Sequence, residues 1–146
     1  MRRTVFLAAF LFTAPLLAQG SQSPLLGNWR EPGGSIIRIA PCGSNLCATL
    51  VAISPQAPSH FDIHNPDPKD RSHKLCGLVI GHNFQRTSPT NANNGILYDP
   101  KTGKTYHGEM TVTANNLDLR GYIGIPLFGR SQTWTRTTAP AHCPAR

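Results

Sequence analysis

The clearest pattern in the chain runs from Lys104 to Thr113, where Tyr106, Gly108, Met110 and Val112 fall on one face and Thr105, His107, Glu109, Thr111 and Thr113 on the other. Alternation with a period of two predicts a half-buried strand whose second face meets water. The pattern resumes after a turn predicted at Asn115-Asn116, with Leu117, Leu119, Gly121 and Ile123 set against Asp118, Arg120 and Tyr122. Gly124 to Gly129 reads as a loop, and Ser131 to Thr137 as a last strand carrying Gln132, Trp134 and Arg136 on one side. Before this block, Gly95 to Tyr98 is a strand, and Asp99-Pro100-Lys101-Thr102-Gly103 is a turn with proline at its first corner.

Three further strands are predicted upstream, over Leu25 to Arg30, Ser35 to Ala40 and Ala48 to Ile53. The links between them are too short for a crossover helix, so they form an antiparallel meander. Ser54 to Lys74 holds four prolines and no sustained period, which predicts a long loop with one helical turn over Pro66 to Arg71 capped by Asn65. Cys76 to Ile80 follows as a short apolar strand and Thr87 to Asn94 as a polar connector. Short strands at close spacing, with no helical period, predict an all-β fold: an antiparallel up-and-down barrel of about eight strands.

The first twenty residues stand outside that pattern. Met1-Arg2-Arg3, an apolar run from Val5 to Ala18 and small residues at Ala18 and Gly20 predict a signal peptide over residues 1–20. The run is short of the roughly 20 residues that span a bilayer, so no membrane anchor is expected. Residues 21–146 are then one exported domain, periplasmic or secreted, without a transmembrane segment. Of the formal charge of +7, Arg2 and Arg3 leave with the signal; the +5 that remains, 12 basic minus 7 acidic residues, comes from single, scattered lysines and arginines, which argues against a nucleic-acid partner.

Four cysteines in an exported chain point to disulfides. Cys42 and Cys47 flank Gly43-Ser44-Asn45-Leu46, a turn sequence, and would face each other across a hairpin; Cys76 and Cys143 are left for each other. Chain entropy assigns the short bridge about 2 kcal/mol and the long one about 4 kcal/mol.

Candidate chemistry is sparse. No nucleophile elbow or papain-like cysteine context occurs, and Glu31 and Glu109 are the only glutamates, with nothing to pair them as acid and base. An enzyme is therefore not supported. His60 and His64, near Asp62, Asp67, Asp70 and His73, are the most metal-like group, yet Pro58 and Pro66 bracket the segment and no helix aligns the imidazoles. We read it as a solvated loop and expect neither metal nor cofactor. Tyr98, Asp99, Lys104, Tyr106, Arg120 and Tyr122, on adjoining strands, are the candidate ligand-binding residues, although Asp99 begins a turn and Arg120 and Tyr122 lie opposite the leucine face.

Gly27-Asn28-Trp29 near the start of the predicted domain and Trp134-Thr135-Arg136 at its end resemble the closing device of lipocalin and related calycin barrels. That resemblance implies that Gly27, Trp29, Trp134 and Arg136 close one end. Over nearly the whole exported chain, Ile37-Arg38-Ile39, Pro41-Cys42-Gly43, Leu75-Cys76-Gly77-Leu78, Tyr98-Asp99-Pro100, Gly121-Tyr122 and Gln132-Thr133-Trp134-Thr135-Arg136 are similar to the bacterial family called domain of unknown function 2147. Ala48 departs from the glycine expected there. The family likeness implies a small exported β-barrel and no established activity. Binding of a small or envelope-derived ligand is the leading expectation; a protein interaction module using the surface or the long loop is the alternative.

Overall fold

β1 (Gly27–Arg30), β2 (Ile36–Cys42), β3 (Asn45–Ala52), β4 (Val79–Arg86), β5 (Asn91–Asp99), β6 (Lys104–Thr113), β7 (Asn116–Tyr122) and β8 (Arg130–Arg136) close into a barrel in chain order. The structure is a computed structural model describing residues 23–140 and 143; the expected signal peptide lies outside the described residues. Each strand runs antiparallel to the next, and β8 returns to β1 with Trp29 opposite Arg136 and Arg30 opposite Thr135. The eight-stranded, all-β, up-and-down barrel expected from the pattern is the fold found.

β6 has the bounds its alternation predicts, with Gly108, Met110 and Val112 buried and Thr105, His107 and Thr111 exposed. The turn to β7 is Ala114-Asn115, one residue earlier than predicted. β4 and β5 require a larger correction. β4 starts three residues after Cys76 and continues to Arg86, and β5 begins at Asn91, so the predicted polar connector shrinks to four residues. Two asparagines explain why these strands are hard to see: Asn83 and Asn94 hold φ of 61° and 55°, and each strand carries an extra residue there, Gly81 to Phe84 facing only Ala48 to Leu46 on β3, and Ala92 to Gly95 facing only Met110 to Gly108 on β6. An irregularity of this kind inserts a residue into the ladder and resets which side chains face inward, so the period of two is broken. Asparagine tolerates the left-handed conformation that such sites demand.

The reset turns Phe84 into the barrel, where it is fully buried. Three glycines make room for it. A methyl group on Gly95 would lie 2.2 Å from the Phe84 ring, one on Gly108 2.9 Å and one on Gly81 3.0 Å. Ala48, departing from the expected glycine, is itself fully buried in this same core.

Both disulfides form. Cys42 and Cys47 join across the two-residue turn Gly43-Ser44, diagonally rather than face to face, since Cys42 opposes Asn45 and Cys47 opposes Ala40. Cys143 joins Cys76, and its N–H donates to Val51 O at 2.9 Å. The tail thus crosses the outside of β3, where Ala139 packs on Ile36, Val51 and Ala52. The predicted helical turn is a single 3₁₀ turn, Pro68–Asp70, capped by Asp67 rather than Asn65.

The interior is filled unevenly. Trp29, Ile39, Leu46, Phe84, Ala92, Met110, Val112 and Leu117 pack the end that carries the β2–β3, β4–β5 and β6–β7 turns. The other end stays open.

Candidate functional site

Closure of the filled end is built on Trp29. Its indole N–H donates to Leu25 O at 3.0 Å, and the Arg136 guanidinium lies 4.1 Å from its ring centroid. Arg136 also donates to Leu26 O at 3.0 Å and to Pro24 O, so one side chain satisfies the carbonyls of the segment that leads into β1. Gly27 is where this device needs a glycine: φ is 119°, and a Cβ would stand 3.2 Å from the guanidinium. Stacking a guanidinium on indole contributes about 0.5–2 kcal/mol, more when water is excluded. Trp134 sits higher on β8, buried opposite Leu117, and donates from its indole to Gln132 Oε1 at 3.2 Å. It lines the cavity above the closing device.

That cavity, about 850 Å³, opens at the end bearing the β1–β2, β3–β4, β5–β6 and β7–β8 connections. Its deep wall is apolar, formed by Ile37, Leu50, Ile80, Leu97, Leu119 and Trp134. Strand alternation carries Lys104 and Tyr106 on β6 and Arg130 and Gln132 on β8 to the same interior side, nearer the mouth. Neither Lys104 nor Arg130 has an ion-pair partner among the described residues.

The rim is held by two carboxylates. Glu31 accepts from Gly33 N–H at 2.6 Å and Ser35 N–H at 3.1 Å, and Lys101 Nζ reaches it at 3.4 Å, linking the β1–β2 and β5–β6 turns across the mouth. Asp62, 1% exposed, takes the Tyr98 hydroxyl at 2.6 Å and the Asn65 side-chain amide at 2.7 Å. Burial, and then this short hydrogen bond to a carboxylate, push the Tyr98 phenol well above the usual tyrosine range. The same pair pins the long loop. Phe61 bridges Lys74, Leu75 N–H donates to His60 O, and His64 O comes so close to Gly103 that a Cβ there would meet it at 2.0 Å.

The six candidate ligand-binding residues therefore separate. Tyr106 and Lys104 face the cavity. Tyr98 borders both the cavity and a cleft of about 280 Å³ beneath the long loop, with its hydroxyl committed to Asp62. Asp99, at the rim, accepts from Lys101 N–H and the Thr102 hydroxyl within its own turn. Tyr122 lines the cavity as well and is tilted against His107 with ring centroids 5.6 Å apart. Arg120 grips the β7–β8 loop: Nε and Nη2 donate to Pro126 O at 2.8 and 2.6 Å, and Nη1 to Ser131 Oγ at 3.2 Å. His60 and His64 are both exposed on the long loop, and among the described residues no three His, Cys, Asp or Glu side chains converge to hold a metal ion.

Glu31, Lys101 and Arg130 were not marked as site residues by sequence reasoning, Asp62 entered only as a neighbour in the metal-like His60 and His64 group, and Gln132 only by its face and its motif. Alternation along β8 places Gln132 with Trp134 and is the one sequence signal that bears on them. Asp62 and Tyr98 lie 36 residues apart with no pattern between them.

The bacterial family described as "Uncharacterized protein conserved in bacteria (DUF2147)" matches residues 27–136. No curated protein matches the chain. Among solved structures, protein HP1028 from the human pathogen Helicobacter pylori, described as belonging to the lipocalin family, is similar with a TM-score of 0.71 at 21% identity, over 78% of this chain and 83% of that one. At that identity the likeness is one of fold.

Proposed function

We propose, from the premise that the chain belongs to the DUF2147 family of uncharacterised bacterial proteins, that it is an exported barrel that takes up a small amphiphilic ligand through its open end. The observation that carries this reading is the cavity of about 850 Å³, apolar below and polar at the mouth. Pockets that hold small molecules fall at roughly 300–1,000 Å³ and combine apolar walls with a few placed polar groups. An apolar body would lie against Ile37, Leu50, Leu97 and Leu119, above the Trp134 indole. Its polar or anionic head would meet Lys104, Tyr106, Arg130 and Gln132. Two disulfides and the amino-terminal signal-like segment support export to an oxidising compartment, with residues 21–146 as the mature domain.

Native mass spectrometry and thermal shift on protein purified from periplasm test the reading, with dodecanoate and dodecanol as added probes. Expected are a bound mass, a raised melting temperature and a change in Trp134 emission, with dodecanoate favoured over dodecanol. Leu119→Trp, which fills the cavity, should abolish all three while the far-ultraviolet dichroism of the barrel is kept. A wild-type protein that takes up neither probe and carries no copurified ligand would overturn it.

A further inference from the structure

The β7–β8 connection is short, apolar and turned outward. Ile123, Ile125, Leu127 and Phe128 are 69%, 53%, 76% and 77% exposed, although an open apolar cavity lies beside them. Phe61 and Ile63 of the long loop, about half exposed, also border the mouth. Exposed apolar side chains are common singly, but a cluster around one opening marks a surface that is covered in use.

The loop is held in this form. Besides the bonds to Pro126 O, Arg120 Nη2 donates to Leu127 O at 3.3 Å, and Gly129 N–H donates to Pro126 O at 3.0 Å. With the carbonyls of Ile125, Pro126 and Leu127 all accepting hydrogen bonds, moving the tip into an apolar medium costs less than it would with those carbonyls bare. Charge agrees with such a setting. The mouth carboxylates Glu31 and Asp99 are engaged by backbone N–H groups, whereas Lys104 and Arg130 have no ion-pair partner among the described residues, on a mature domain of formal charge +5, 12 basic minus 7 acidic residues.

We infer that the open end docks onto an anionic lipid surface, with Leu127 and Phe128 inserted at the interface and Lys104 and Arg130 at headgroup level. Apolar insertion and attraction to anionic lipid act together in peripheral binding of this kind. Docking involves the rim alone and does not require a ligand in the cavity.

Cosedimentation of the mature, disulfide-bonded protein with vesicles of phosphatidylcholine, alone or mixed with phosphatidylglycerol, tests this. Binding should be stronger on the anionic vesicles, on the order of tenfold, and should weaken as salt is raised. Leu127→Ser with Phe128→Ser should reduce it by on the order of a further tenfold or more, as expected for removing two apolar anchors. Both side chains are mostly exposed, so the variant keeps the barrel. Leu119→Trp should bind vesicles like the wild type, which separates a failure here from a failure of ligand uptake. Equal binding to both vesicle types, no binding, or an unaffected double variant would overturn the inference. So would a wild-type dimer, measured without lipid, that the double substitution makes monomeric, since a second copy would then be what covers the loop.

Discussion

The Asp62 carboxylate is buried with two side-chain donors, the Tyr98 hydroxyl and the Asn65 amide. Removing one leaves it underbonded, so Tyr98→Phe should cost about 1–3 kcal/mol in urea unfolding at neutral pH. The pH dependence has a definite sign. The folded phenol titrates above its unfolded value of about 10, so the folded state keeps its proton longer, and the stabilisation is whole below about pH 10 and lost as pH rises through the folded value. Tyr98→Phe should flatten that alkaline loss; an unchanged slope would mean that other groups cause it. None of this could be read from the chain, because a tyrosine after a leucine in a strand and an aspartate in a proline-rich loop show no pattern that joins them. Tyr98 could be selected as notable, but its partner could not. The converse holds at Arg120, where outward placement was legible from alternation with Leu119, while its grip on Pro126 depends on a loop geometry that no periodicity encodes.

Among the strands, β6 was legible to the residue because its alternation is unbroken and its turns are marked by Gly103 and Asn115. β4 and β5 were not, and the asparagine bulges that hid them also build the core. They aim Phe84 at the barrel axis, and Gly95, Gly108 and Gly81 on three strands leave it space. Gly95→Ala should therefore destabilise the fold by about 1–3 kcal/mol through overpacking, read as a lower denaturation midpoint. Combined with Phe84→Leu, which relieves the clash, the two changes should cost less than their sum. Strict additivity would show that the glycine serves the backbone rather than the ring.

The barrel as a whole divides into a packed half, which carries the Trp29–Arg136 closure, and a hollow half, which carries the mouth. The fold class followed from strand count and spacing, and the closing device from its likeness to lipocalins. The hollow half did not follow, because whether an interior is filled depends on where the bulges send each large side chain. Closure itself rests on little backbone: β1 and β8 meet at two residue pairs, and just beyond them Thr137 N–H donates to Asn28 O before the tail runs to the Cys76–Cys143 bond. Amide exchange should expose this arrangement. In Cys143→Ser, β8 should exchange faster while the β2–β3 hairpin, with its own disulfide, keeps its protection; uniform acceleration would instead mean that the barrel opens only as one unit. Two pairs between the chain's first and last strands also join the most distant parts of the sequence, so the loop-closure entropy of the whole barrel is met last and yields little when it is met. While the chain folds, the first seven strands can exist as a curved sheet with both edges unpaired, and it is Arg136 settling on Trp29 that ends its exposure to strands of other chains.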